Sequence, residues 1–332
     1  MSTALSVSNV LDVALKTAQD GLGKSVNRFA PFTSFFYDNA EALRLNWEDA
    51  MPAPAVWDGT SDIPLNTLGV SHTQTLTAIR YALGVQVFKN EIQRRGMEVA
   101  VGGRVAAGFE RLGRAIQKLV FLALQSGNSQ LVPDGAGSTT QAIGSGHLLG
   151  DGSTTQANIL TDLLSHASLE AVQAMRSNWM DSEGEALLLD PEDCVIVADV
   201  SQRSNVHAML KSQGMTIATV PVGGGEAVVM QDATNLHAEQ RLLAVLYPFS
   251  LLAGGNVNNW WFMPRGMVDP PNAARSPFVV WMPEQGIDIG VNGIVEPNDD
   301  KSIHILFDIK LAVAWTAPAF EVGFGSYPGA EA

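Results

Sequence analysis

The chain has 332 residues, 46% of them apolar and only 16% charged, with a net charge of −14. That much apolar material builds a core and excludes bulk disorder, and the length suits two domains or one elaborated one. The acidic balance argues against binding nucleic acid through a basic face and against adsorption to an anionic membrane. So low a charge fraction implies that much of the surface is covered, with neighbouring copies the simplest cover.

Residues 4–19 have a weak helical pattern in Leu5, Val7, Val10, Leu11, Val13 and Leu15. The start lacks a basic segment followed by a long apolar core, so it does not read as a signal peptide. Phe29, Phe32, Phe35, Phe36 and Tyr37 then crowd together. Aromatics this dense need a surface to bury them, from the same chain or the next. Residues 48–70 carry three prolines and two glycines with little apolar periodicity beyond Val56, Trp57, Leu65 and Leu68. Loops of this length are uncommon in compact domains unless they act on something. Tyr81, Leu83, Val85 and Val87 alternate with Arg80, Ala82, Gly84 and Gln86, which predicts a strand. Residues 48–88 therefore read as an extended two-stranded projection.

The longest pattern is Val101–Ser126. Val105, Phe109, Leu112, Ile116, Leu119 and Leu122 are spaced 4, 3, 4, 3 and 3 apart, which predicts one core-facing stripe. Such a helix is about 39 Å long, well beyond the usual three or four turns. Gly102, Gly103 and Gly108 stand near its start. They are either a bending point, since each lowers helix stability by roughly 1 kcal/mol relative to alanine, or a device for close helix–sheet packing.

Residues 127–158 are rich in Gly, Ser and Thr and contain GSTTQA twice, at Gly137–Ala142 and Gly152–Ala157. Two copies indicate a local duplication in a turn-rich surface loop. A second helix begins near Ser168, which can cap it. Cys194–Val200 is a mostly apolar run that reads as a buried strand. Cys194, the one cysteine, is read as a small buried hydrophobe in a chain made in a reducing place. Ser201–Ser212 reads as helical, Met215–Val222 and Ala227–Met230 as strands about a glycine turn, and Trp260–Met263 as a bulky strand. Near the end Ile303, Ile305, Phe307, Ile309, Leu311, Val313 and Trp315 alternate with mostly polar partners. That is a long strand with one face on a core. A short strand about Phe320, Val322 and Phe324 follows.

Chemical motifs are missing. Asp20–Ser25 reads DGLGKS, but Ala18 stands where a phosphate loop needs glycine, and a helical pattern precedes it. The six histidines are dispersed, without zinc spacing, and Asp181, Glu183 and Glu185 depart from a calcium-loop pattern. No nucleophile elbow occurs. No catalytic, cofactor-binding or metal-ligating residue is assigned, no cofactor is expected, and the chain is not read as an enzyme.

Ser168–Arg176, then Asp181-Ser-Glu-Gly184, Leu187-Leu-Leu-Asp-Pro191 and Cys194-Val-Ile-Val197 resemble a run found in HK97-fold major capsid proteins of tailed bacteriophages. Mu-like head subunits are the nearest type. Ala198 and Asp199 stand where that family has proline, and Gly146-His-Leu-Leu-Gly150 lacks its asparagine. The order of elements extends the likeness over most of the chain. The resemblance implies an α+β fold with an N-terminal arm (1–47), an extended β-hairpin loop (48–88) and a peripheral domain (89–190) around a spine helix at 101–126. An axial domain (191–300) and return strands of the peripheral domain (301–332) would complete it. It implies inter-subunit contacts from Trp57, Leu65 and Leu68, and a homo-oligomeric shell of pentamers and hexamers around double-stranded DNA. That DNA would be enclosed without sequence-specific binding, and the acidic chain would suit a container that does not stick to it. Separate scaffolding, portal and cement proteins would be partners, with assembly in a host cytoplasm into a virion. No lysine lies between Trp47 and Phe88, so the lysine–asparagine cross-link of some family members is not expected and the shell is non-covalent. A non-viral compartment shell of the same fold is the alternative, and a soluble α/β enzyme or binding protein a more distant one.

Overall fold

The computed structural model describes residues 7–37, 40–48, 70–134, 136, 138–149, 153–180, 194–211, 214–222, 225–233, 242–265, 276–283, 292–297, 301–316 and 323–328. In chain order come helix α1 (Val7–Val26), strand β1 (Ser34–Phe36), the paired strands β2 (Ala42–Glu48) and β3 (Val70–Thr77), β4 (Ile79–Phe88), and helices α2 (Lys89–Arg95) and α3 (Met97–Gln125). Five short strands follow, β5 (Leu131–Pro133), β6 (Thr139–Gln141), β7 (His147–Leu148), β8 (Thr155–Gln156) and β9 (Ile159–Leu160), then helix α4 (His166–Arg176). The remainder is β10 (Cys194–Asp199), α5 (Arg203–Lys211), β11 (Gly214–Val222), β12 (Gly225–Ala233), β13 (Leu243–Tyr247), β14 (Trp260–Pro264), β15 (Phe278–Trp281), β16 (Asn292–Pro297), β17 (Ser302–Trp315) and β18 (Phe324–Ser326).

The spine helix α3 has 29 residues without a break and is about 43 Å long. It buries Val101, Val105, Phe109, Gly113, Ile116, Val120, Phe121 and Leu124. Of the six expected stripe residues, Val105, Phe109 and Ile116 are buried and Leu112 and Leu119 half-buried, but Leu122 is 43% exposed. Steps of three fall short of a full turn, so Ile116, Leu119 and Leu122 walk about 120° around the helix. Leu122 ends up on the side of Arg111 and Lys118, while Val120, Phe121 and Leu124 take the core.

Small residues bring α1 alongside α3. A Cβ on Gly113 would lie 1.9 Å from Ser25 Oγ, and one on Gly21 would lie 3.2 Å from Phe109 Cβ. Gln117 Nε2 donates to the Ser25 carbonyl at 3.2 Å. The helix extends from the expected 4–19 to Val26, so DGLGKS is helical and forms no phosphate loop. The expected N-terminal arm thus begins with a helix packed on its own spine. Of the aromatic crowd after it, Phe29, Phe32, Phe35 and Phe36 are buried in the same chain, with Phe32 against Phe121 and Phe278, and Tyr37 is half-buried.

Two five-stranded sheets flank α3. The first runs β1-β15-β17-β16, with β4 also pairing β17 over Ser302–Leu311. Its odd-numbered β17 side chains Ile303, Ile305, Phe307, Ile309 and Leu311 are buried, and Phe307 meets Phe109 edge-on at 4.8 Å. Leu306, on the opposite face, is 41% exposed, as the alternation requires. The second sheet runs β13-β10-β14-β18-β9. All six residues of β10 are buried, because both faces are covered and Cys194–Ala198 are therefore continuously apolar. The carboxylate of Asp199 at its end accepts from the Ser201 and Phe249 amides. Val195 and Val197 join the core around α3, while Cys194, Ile196 and Ala198 pack with α4 and α5 through Leu169, Val172, Val206 and Met209.

These pairings run across the expected segments. Within the expected axial segment 191–300, β15 and β16 pair with β17 in the first sheet. Within the expected return segment 301–332, β18 pairs with β14 in the second. Both sheets are assembled from distant parts of the chain, which no local pattern announces. The second helix starts earlier than expected. Ser165, in extended conformation, is its N-cap, and Ser168 is the third helical residue, returning the bond in a reciprocal capping box.

Candidate assembly surface

The last turn of any helix leaves carbonyls without intrahelical partners. At the end of α3, Trp315 Nε1 donates to the Ala123 carbonyl at 2.9 Å. Ser126 Oγ donates to the same oxygen at 2.8 Å, and Tyr327 OH lies 3.5 Å from the Leu124 carbonyl. Trp261 Nε1 in turn donates to Tyr327 OH at 3.1 Å. Burial pushes the Tyr327 phenol far above its ordinary range, so it stays protonated and able to donate. Strands from both sheets are thereby fastened to one helix end.

The duplicated hexapeptide has a structural role. Thr139–Gln141 of the first copy is β6, paired with β5, and Thr155–Gln156 of the second is β8, paired with β7. Each copy supplies the returning strand of a small antiparallel pair. Asn158, just after the second copy, ties the two together. Its Oδ1 accepts from the Gly144 amide at 2.7 Å and faces His147 Nε2 at 2.9 Å, while its Nδ2 donates to the Ala142 carbonyl at 2.9 Å. Because that oxygen accepts, His147 donates from Nε2. His147 is fully buried, and burial holds its pKa below the ordinary value, opposed by the Asn158 bond and the nearby Asp134 carboxylate. The histidine is a loop-core residue, which dispersed spacing did not reveal.

The candidate hinge glycines separate by environment. A Cβ on Gly103 would meet nothing within 4 Å, and one on Gly102 only Thr17 Oγ1 at 3.6 Å. One on Gly108 would lie 3.1 Å from Leu83 and 3.2 Å from Val85, so close packing on β4 accounts for that position. The helical backbone is continuous through all three. The break lies at Gly96, between α2 and α3, where φ is +80° and ψ 158°, a conformation open essentially to glycine alone.

Of the expected projection 48–88 only Glu48 and residues 70–88 are described. Its expected strand about Tyr81–Val87 is β4 of the first sheet, paired with β17, while β3 pairs with β2 from the expected arm. Leu43, Leu45 and Leu76 of the β2–β3 ribbon are buried with Phe36, Val279, Trp281 and Ala314, and Gln74 Nε2 donates to the Trp315 carbonyl at 2.9 Å. Trp57, Leu65 and Leu68 lie outside the described residues. Among the described residues no group of three metal-ligating side chains converges, and no helix is long and apolar enough to cross a membrane. A depression of about 290 Å³ beside Leu149, Gln156, Met175 and Trp179 has no titratable side chain in its lining.

No sequence-family model matches the chain, and no curated protein sequence does. Solved structures do. The capsid of the cyanophage P-SCSP1u is 8% identical, with a TM-score of 0.52 over 91% of this chain and 88% of that one. The mature capsid of bacteriophage PhiM1 is 10% identical, with a TM-score of 0.49 over 92% and 87%. The virus-like particle of Pyrococcus furiosus is 10% identical, with a TM-score of 0.46 over 94% and 97%. On the likeness to the P-SCSP1u capsid, the chain has the mixed α and β fold of HK97-type capsid proteins.

Proposed function

We propose that this chain is the major capsid protein of a tailed bacteriophage, with Mu-like head subunits as the nearest type. The observation that carries the reading is the fold, with its long spine helix under the β4–β17 sheet and the β2–β3 ribbon based beside it. In this reading copies assemble without covalent cross-links into pentamers and hexamers, forming an icosahedral shell around packaged double-stranded DNA. The part of the expected 48–88 projection that carries Trp57, Leu65 and Leu68 lies across a neighbouring subunit, while its last strand, β4, stays in this chain's own sheet beside β17. Weak contacts repeated by symmetry become strong together. The chain acts as a structural protein and not as an enzyme, assembled in a host cytoplasm with separate scaffolding, portal and cement proteins. Gly102 and Gly103, free of close neighbours, are the bending candidates during shell maturation.

Negative-stain microscopy with sedimentation of the purified chain, with and without its neighbouring gene products, tests the reading. Closed particles, or rings of five and six, are expected. A monodisperse monomer or dimer under every condition would refute it.

A further inference from the structure

Charge is unevenly placed along this acidic chain. From Lys89 to Lys118 there are seven Lys and Arg against three Glu, whereas residues 129–199 carry eleven Asp and Glu against Arg176 alone. Much of the excess lies on one side of α3. Arg104, Arg111 and Lys118 are exposed and seven residues apart, which puts them on one face at steps of about 10 Å. Arg114 stands beside them, with Ala107 and Ala115 exposed between. Glu91 pairs with Arg104 at 2.7 Å, and Glu110 pairs with Arg114. Arg111 and Lys118 form no ion pair among the described residues. The face is therefore a smooth cationic ridge with its central and last charges uncommitted.

We infer that this ridge is a seat for the phosphate backbone of double-stranded DNA, contacted without regard to sequence. The inference rests on the shell reading, which supplies DNA as the enclosed cargo. A protein partner would need an apolar centre to the contact, and the ridge has none, Leu122 lying only at its end. Phosphates need only cations they can reach. The net charge of −14 does not forbid this, because at 0.1 M salt the screening length is about 10 Å. A phosphate at the ridge is therefore governed by the local cations.

The test is fluorescence anisotropy of a labelled 20-base-pair duplex with the full chain across 50–200 mM NaCl, beside sedimentation of the same samples. Four phosphate contacts predict affinity falling about a hundredfold over that range, and the Arg111→Gln/Lys118→Gln variant only about tenfold. Arg203→Gln, an exposed cation on α5, should behave as the unaltered chain. Equal salt dependence in the double variant, or no salt-dependent binding by the unaltered chain, would overturn the inference. So would loss of assembly in the double variant with its DNA binding unchanged, since the ridge would then face another copy. Particles that form normally while DNA results go against the ridge would leave the shell reading standing. A ridge-dependent affinity in a chain that never forms particles would sustain the contact and sink the shell.

Discussion

The two ends of the spine helix are built differently. At its end, Trp315, Ser126 and Tyr327 supply donors to the last carbonyls, and Phe121 stacks on Tyr247 at 3.9 Å. At its start the helix leaves α2 through Gly96, Val99 is 62% exposed, and Gly103 has open space around it. The same element is thus fixed by side-chain hydrogen bonds where both sheets meet it, while its start, though Val101 and Val105 are buried, keeps an open side at Val99 and Gly103. A helix that must hold a fold together and also tilt against it would divide its length in this way.

The largest test is to break the fixed end. Trp315→Ala removes a fully buried indole and one of the donors to the Ala123 carbonyl. It should cost about 3–5 kcal/mol of stability, read by urea unfolding of the unassembled chain. Val99→Ala at the other end should stay within about 0.5 kcal/mol, as exposed substitutions generally do. Equal losses at the two ends would erase the distinction.

The next test sits between the ends. Gly113→Val would drive a branched side chain into Ser25 and prise α1 from α3, costing about 1–3 kcal/mol as overpacking does. Gly113→Ala should recover when combined with Ser25→Gly, because the clash is with that one side chain. Gly103→Ala should instead stabilise the folded chain by up to about 1 kcal/mol, since it lowers the cost of helix without meeting a neighbour. A loss of stability there would mean that the loose end is packed after all.

How much of this was readable beforehand follows from the range of the interactions. β17 and α3 were legible because a period of two and a period near 3.6 are written into consecutive residues. Buried β10 was legible as an apolar run. Strand partners were not, since β15, β16 and β18 are short and their sheets are fixed by contacts across the chain. Leu122 is exposed because two successive steps of three carry it off the stripe, while Val120, Phe121 and Leu124 are buried by contacts that lie outside the stripe's own spacing. Gly113 carries no such signal, as a glycine in a helix gives no sign of the serine pressed against it. The ridge was hidden by totals, which average seven cations on α2 and α3 into an acidic whole. His147 looked like one of six scattered histidines until Asn158, eleven residues on, was seen beside it.

The smallest effect concerns that histidine and appears only in acid. Burial lowers its pKa in the folded chain, while the unfolded chain takes up the proton near the ordinary value of 6.5. The unfolded state therefore binds more protons between those two values, so its share of stability is complete above pH 6.5 and is lost as pH falls below it. One proton sets the slope at no more than about 1.4 kcal/mol per pH unit. His147→Gln should flatten the decline of the urea midpoint between pH 6.5 and 5, and an unchanged profile would show that the imidazole is not kept neutral. The position of the loosening also bears on the two ends. Amide protection, taken relative to the intrinsic exchange rate at each pH, should fall in acid first at Gly144, whose N–H is held by Asn158. The protection of Val101–Val105, a helix length away, should be unchanged. If both regions responded together, the loop beyond the fixed end and the start of the helix would belong to one cooperative unit, and the helix could not tilt at one end alone.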